Sequence, residues 1–343
     1  MKKHNILFTG DRGFIAGYVI PRLLDLGHTV VGIDNDWKYG KVEKSFDAHP
    51  NYTHYTGDAK DSKLLETIMF EHDVDLFIMG AAIIGGISLF HTYPYFLLAE
   101  NEKITAAAFD ASIKMHKEST LKKVIVMSSS MVFESTTSFP SKEGDQLLCP
   151  PPLSSYGFQK LSTEYFAKAA WDEYQLPYII VRPFNCAGTG EYRALCDADI
   201  MSGNVTLAMS HVIPDLIQKI VKGQDPLHIL GDGNQIRHYT YGGDLADGIV
   251  AATLSDYENT DFNLSTPNGH TVVELAGEIW KRLKPDKEFT WVSDTPFKYD
   301  VQKRVPHVDK AKQMLGFEAS TSLDKILDEV IPWVTEMVSI GKI

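Results

Sequence analysis

Cysteine is scarce. The chain carries three, Cys149, Cys186 and Cys196, an odd number without C-x-x-C spacing. That argues against a disulfide framework and a cysteine-held metal, so no metal is expected and a reducing compartment, the cytoplasm, is. Long apolar runs are missing as well. None approaches the ~20 residues that a membrane-spanning helix needs. The opening Met1-Lys-Lys-His-Asn5 leads into an apolar run too short for a signal-peptide core. Positive charge is in deficit: 33 Lys and Arg stand against 45 Asp and Glu, a net charge of −12. With no basic patch, nucleic acid is not an expected partner. A small anionic ligand remains open, because a few Arg and helix N-termini can hold one locally. Internal repeats and low-complexity tracts are also absent. What is left is 343 residues of ordinary globular composition, 44% hydrophobic and 23% charged. That is room for one large domain or two modest ones.

The run Asn5-Ile-Leu-Phe-Thr9 predicts a buried parallel strand. A glycine turn follows, Gly10-Asp-Arg12-Gly13-Phe14-Ile15-Ala16, and then a helical pattern to Gly27. In that context a glycine fingerprint lets the backbone approach a pyrophosphate, with the helix N-terminus facing it. The next strand ends on Asp34, about twenty residues on. A carboxylate there accepts from a ribose 2′-hydroxyl and repels a 2′-phosphate, which favours NAD. Arg12 pulls the other way, since a guanidinium pairs with phosphate; otherwise it is a solvated turn residue. Asp58, after a third strand, reaches an adenine or caps the helix beginning near Ser62. A fourth strand ends on Gly80-Ala81-Ala82, small residues that let a cofactor lie close, and Gly85-Gly86 continue as a loop lining a cleft. A fifth strand ends on Ser128-Ser129-Ser130, as catalytic hydroxyls or as a capped turn. A sixth ends on Arg182-Pro-Phe-Asn185.

Five or more strand–helix alternations in about 180 residues indicate an α/β fold, a doubly wound parallel sheet, with a smaller C-terminal α/β lobe. We expect residues 1–182 to form the dinucleotide domain, with 237–256 returning to it. Residues 183–236 and 257–343 are expected to form the lobe. Between the fifth and sixth strands, Tyr156 and Lys160 stand four residues apart on a helix. That spacing puts a phenol and an ammonium on one face. The positive charge is expected to draw the phenol pKa toward neutrality, making it a general base.

Taken in order, the glycine turn, Asp34, Ser129, Tyr156 and Lys160 resemble the extended short-chain dehydrogenase/reductase family, specifically its NAD-dependent nucleotide-sugar epimerases and dehydratases. Arg182-Pro-Phe-Asn185, Gly231-Asp-Gly-x-Gln-x-Arg237, Tyr241-Gly-Gly-Asp244 and Ala311-Lys-x-x-Leu-Gly316 match its signatures too. The resemblance implies a Rossmann sheet, NAD as cofactor and a nucleotide-diphosphate sugar as substrate. It implies Tyr156 as base, Lys160 as its partner at the nicotinamide ribose and Ser129 as the hydroxyl on the sugar oxygen. Asn185, Ser130 and Gly86 become substrate contacts, and Arg237 and Arg304 clamps for the diphosphate. It also implies a homodimer through the helices near 94–116 and 154–174, which carry apolar residues on more than one face.

Ala81-Ala82-x-x-Gly85-Gly86-Ile87 and Ser210-His211-Val-Ile-Pro214 are similar to segments of GDP-fucose synthase, and the first also to GDP-mannose 3,5-epimerase. In the former, the His corresponding to His211 acts as an acid at the sugar ring; here His211 is that acid or simply begins a helix. Dehydratases and decarboxylases of the family carry Glu two residues after the catalytic hydroxyl, and 3,5-epimerases carry Cys there. This chain has Met131, whose thioether shuttles no protons. The expected activity is therefore C4 epimerisation through a transient 4-keto sugar. The alternative is a GDP-sugar 4-keto reductase, or a 4-dehydrogenase/3,5-epimerase.

Overall fold

The computed structural model describes residues 2–84, 92–195, 200–207, 211–296 and 300–343. Seven strands make the central sheet: β1 (Asn5–Thr9), β2 (Thr29–Asp34), β3 (Tyr52–Thr56), β4 (Leu76–Met79), β5 (Lys123–Met127), β6 (Tyr178–Pro183) and β7 (Thr260–Leu264). Their order is β7-β6-β5-β4-β1-β2-β3, and every neighbouring pair is parallel. The order reverses between β1 and β4. In such sheets the switch point opens a crevice at the carboxyl ends of the strands.

The strands read as continuous apolar runs because both faces are covered. Alternate residues of one strand serve different cores. Ile6 and Phe8 pack with Val19, Ile20 and Leu23 of helix Ala16–Asp25 and with Leu245 and Ile249 of helix Gly242–Leu254. Leu7 packs on the other face with Leu65, Ile68, Phe109 and Ala167, from helices Ser62–Glu71, Pro94–Glu118 and Ser155–Tyr174. A separate core forms the second lobe. There Ile217, Ile279 and Val330, from helices Val212–Val221, Val272–Leu283 and Leu323–Ser339, enclose Leu227 and Ile229. No helix among the described residues is long and apolar enough to cross a membrane.

One expected boundary is corrected. β7 lies in the stretch 257–343 assigned to the lobe, yet it pairs with β6 from Thr260↔Ile179 to Leu264↔Pro183. Ala311 and Phe317 join the same sheet core. The strand was hard to read because three of its five residues are polar, Asp261 and Asn263 for local reasons. Asp261 pairs with Arg182 at 2.7 Å, and Asn263 donates to the Ser141 carbonyl at 3.1 Å.

An ion cluster ties β5 and β6 to the helix that carries Tyr156. The Arg182 guanidinium donates to Glu164 through Nε at 2.7 Å and Nη2 at 2.8 Å. Ser128 donates to the same carboxylate at 2.6 Å, and Gln146 at 3.2 Å. Both ionic side chains are wholly buried. The helix itself is set by its start: Ser154 Oγ accepts from the Gly157 amide at 3.0 Å, and Glu134 accepts from the Leu153 and Ser154 amides at 3.1 and 2.9 Å.

Candidate active site

A cavity of about 490 Å³ runs along the carboxyl ends of the strands, within the roughly 300–1,000 Å³ that ligand pockets span. Gly10, Arg12, Gly13, Phe14, Ile15, Asp34, Asp58, Ala81 and Ala82 line it. So do Ser129, Ser130, Tyr156 and Lys160, with Asn185, His211 and Arg304. Two expected residues are not among them. Gly86 lies outside the described residues. Arg237 is turned aside: its Nη2 donates to Asp300 at 3.2 Å and its Nη1 to the Ile236 carbonyl at 3.0 Å.

The glycine turn is built for close approach. Gly10 has φ +78°, and a Cβ there would stand 2.9 Å from the Ala81 backbone, so only glycine lets the turn pass the end of β4. The helix begins at Ala16, and the first amides of a helix have no intrahelical acceptor. Asp34 accepts from the Arg12 amide at 3.3 Å and from the Asp36 amide at 2.8 Å. Burial lifts its pKa above the usual carboxylate range, against the pull of those amides.

Two local alternatives are corrected. Arg12 is not a solvated turn residue: it is 9% exposed, with Nη1 2.5 Å from Asp47 and Nε 3.8 Å from the wholly buried Asp11. Asp58 does not cap the second helix. Asp61 does, accepting from the Leu64 amide at 3.0 Å, while Asp58 takes the Lys60 amide at 2.9 Å. Sequence reasoning missed Trp37, Tyr39 and Phe96, which line the same cavity, because no fixed spacing announces them.

Tyr156 is 6% exposed and packs with Leu97, Met131 and Val301. Its hydroxyl shares a hydrogen bond with Ser129. The expected pull of Lys160 on the phenol is not what governs it. Burial raises the Tyr156 pKa, and the opposing influences are the Ser129 hydroxyl and the charge of Arg304. Enclosure outweighs attraction because a phenolate loses its hydration there. The Lys160 ammonium is 6.0 Å from the Tyr156 ring centroid and donates to the Met127 carbonyl at 2.8 Å. Burial takes the Lys160 pKa down to about 8.

Arg304 reaches the cavity from a segment pinned on two sides. Lys303 bridges to Ile236, and Pro306 to Ser141. Its Nη1 donates to Asn185 Oδ1 at 3.3 Å. Burial, with help from the nearby Arg237 charge, lowers its pKa to about 9. His211 stands immediately before helix Val212–Val221 without capping it. Its Nδ1 lies 2.5 Å from Glu191 Oε1, and its ring lies 6.4 Å from that of Phe14. No sequence signal marked Glu191. Among the described residues no group of three or more His, Cys, Asp or Glu is placed to hold a metal ion.

Residues 6–265 match the model of the NAD dependent epimerase/dehydratase family. The chain belongs to that family. It is an extended short-chain dehydrogenase/reductase, and NAD is the cofactor of this epimerase/dehydratase. A UDP-glucose 4-epimerase of Halalkalibacterium halodurans is 27% identical over 351 aligned residues, covering 96% of each chain. Among solved structures, a UDP-glucose 4-epimerase of Thermotoga maritima with UDP-glucose is 26% identical, with TM-score 0.80 over 97% of this chain and 99% of that one. A UDP-N-acetylglucosamine 4-epimerase of Methanobrevibacter ruminantium, in complex with UDP-N-acetylmuramic acid, is also 26% identical, with TM-score 0.80 over 99% and 100%. The residues of this epimerase/dehydratase fit the dinucleotide. The Gly10 turn leaves no room for a side chain, and Asp34, Lys160 and Tyr156 line the same cavity.

Proposed function

We propose that this enzyme inverts C4 of a nucleotide-diphosphate sugar through a transient 4-keto sugar. The observation that carries the reading is Tyr156. It is an enclosed phenol that shares a hydrogen bond with Ser129 and feels the charge of Arg304, in the same cavity as the glycine turn. Tyr156 takes the proton of the C4 hydroxyl and returns it, work worth ~10²–10⁴ in rate. Ser129 donates to the sugar oxygen and relays the proton. Lys160 holds the nicotinamide ribose. Bound NAD supplies the store for the C4 hydride. Arg304 pairs with the diphosphate, where a guanidinium suits bidentate contact, and Arg237 joins it on leaving Asp300. Asn185, Ser130 and His211 contact the sugar.

Met131 fills the place where a second acid or base would stand for dehydration or C3/C5 inversion, and it is buried against the Tyr156 ring. That supports chemistry confined to C4. The similar proteins named above carry UDP-sugar 4-epimerase names, and nothing in them favours the GDP-sugar alternative. One observation speaks for a net redox enzyme, the His211–Glu191 pair facing the cavity, which would serve as a ring acid. We also propose a cytoplasmic homodimer. Helices Pro94–Glu118 and Ser155–Tyr174 pack on each other and leave Tyr95, Phe158 and Tyr165 exposed.

The test is a panel of UDP-, GDP-, CDP- and dTDP-sugars followed by NMR at C3, C4 and C5, with absorbance at 340 nm. The C4 signal should invert with no lasting absorbance change. Steady consumption or production of NAD(P)H would overturn the reading.

A further inference from the structure

The ribose end of the cavity holds two opposing recognition elements. Asp34 suits a free 2′-hydroxyl. Arg12, whose amide is 3.3 Å from Asp34 Oδ2, supplies the guanidinium that a 2′-phosphate would need. Both line the cavity. In this chain the guanidinium is already engaged. Asp47 Oδ1 stands 2.5 Å from Nη1. Asp11 Oδ2 lies 3.8 Å from Nε, and the Tyr52 ring lies 5.9 Å from Cζ. Asp11 is in turn fixed by the Tyr52 hydroxyl and by His54 at 2.8 Å.

Asp47 differs from the other members of this group. It does not line the cavity, and its side chain is 37% exposed. It is nonetheless held in place, since its Oδ2 accepts from the Lys44 amide at 2.8 Å. Phosphate on the ribose would have to compete with a carboxylate already paired to Arg12. We propose that Asp47 is a specificity-determining residue: by occupying Arg12 it denies a cation to the 2′-phosphate, so two carboxylates, Asp34 and Asp47, set the preference for NAD over NADP. The assignment does not depend on which sugar is turned over.

The substitution Asp47→Asn tests it. The amide oxygen can still accept from Lys44, so the turn is kept, while Arg12 loses its 2.5 Å partner and keeps only the longer 3.8 Å contact with Asp11. Calorimetric titration of nucleotide-depleted protein with NAD and with NADP gives the ratio of the two dissociation constants. In D47N that ratio, NADP over NAD, should fall at least fivefold through tighter NADP binding. The double variant R12A/D47N should lose the gain, and raising the salt concentration should erode it in D47N. A ratio that falls by less than fivefold overturns the proposal. So does an equal change in both constants, which marks a structural role, or a gain that survives in R12A/D47N.

Discussion

Replacing Arg182 with methionine tests whether the buried ion cluster organises the serine end of β5. The substitution removes two hydrogen bonds to Glu164 and one to Asp261. At about 1.5–3 kcal/mol for each bond to a charged group, the gross loss would approach a typical domain's whole stability. Two features reduce it. Glu164 keeps donors from Ser128 and Gln146, and Asp261 keeps Lys310 at 2.8 Å. Methionine also fills most of the vacated volume. The expected cost is therefore about 3–5 kcal/mol, the range for stranding one member of a buried pair. Glu164→Gln in the same background should recover part of it, because no buried charge is then left opposite the methionine. The assay is urea unfolding at 25 °C, with the same excess of NAD in every sample, since bound ligand shifts apparent stability. A cost below about 1 kcal/mol for R182M, or strictly additive single and double variants, would refute the reasoning.

Tyr156→Phe should lower kcat by ~10²–10⁴ and leave NAD binding within twofold, read by turnover and calorimetry; unchanged turnover would mean the base is elsewhere. Gly10→Ala should weaken NAD binding more than tenfold, because a Cβ there meets the Ala81 backbone at 2.9 Å and φ is +78°; an affinity within twofold of the parent contradicts the close-approach argument. Lys160 gives a pH signature. Its folded pKa is about 8, below the ordinary 10.5, so between those values the unfolded chain holds more protons and stability from this residue rises with pH. Lys160→Met should flatten that rise by up to about 3 kcal/mol across pH 8 to 10.5, at ~1.36 kcal/mol per unit. Parallel stability–pH curves for the two proteins would disprove it.

Much of the fold could be read directly because its rules are local. Strands buried on both faces show as unbroken apolar runs, as at Ile6 to Phe8, and Gly10 marks a turn that no other residue can make. The four-residue spacing of Tyr156 and Lys160 likewise placed both on one helical face. What could not be read depends on partners distant in the chain. β7 hid behind Asp261 and Asn263, whose polarity is spent on Arg182 and Ser141. Arg237 carries the right motif, yet Asp300 holds it away from the cavity. The direction of the Tyr156 shift is a balance between enclosure and charge, and enclosure is a property of the folded molecule. The engagement of Arg12 was equally invisible, because nothing in the spacing from Arg12 to Asp47 announces a contact.

The placement of Arg304 bears on how the enzyme is made. During translation the glycine turn, Ser129 and Tyr156 all leave the ribosome well before the segment that bridges Ile236 and Ser141. A growing polypeptide thus carries its phenol while the cation that favours the phenolate is still unsynthesised. Until that segment has been made, the phenol lacks the positive charge that opposes the effect of its burial.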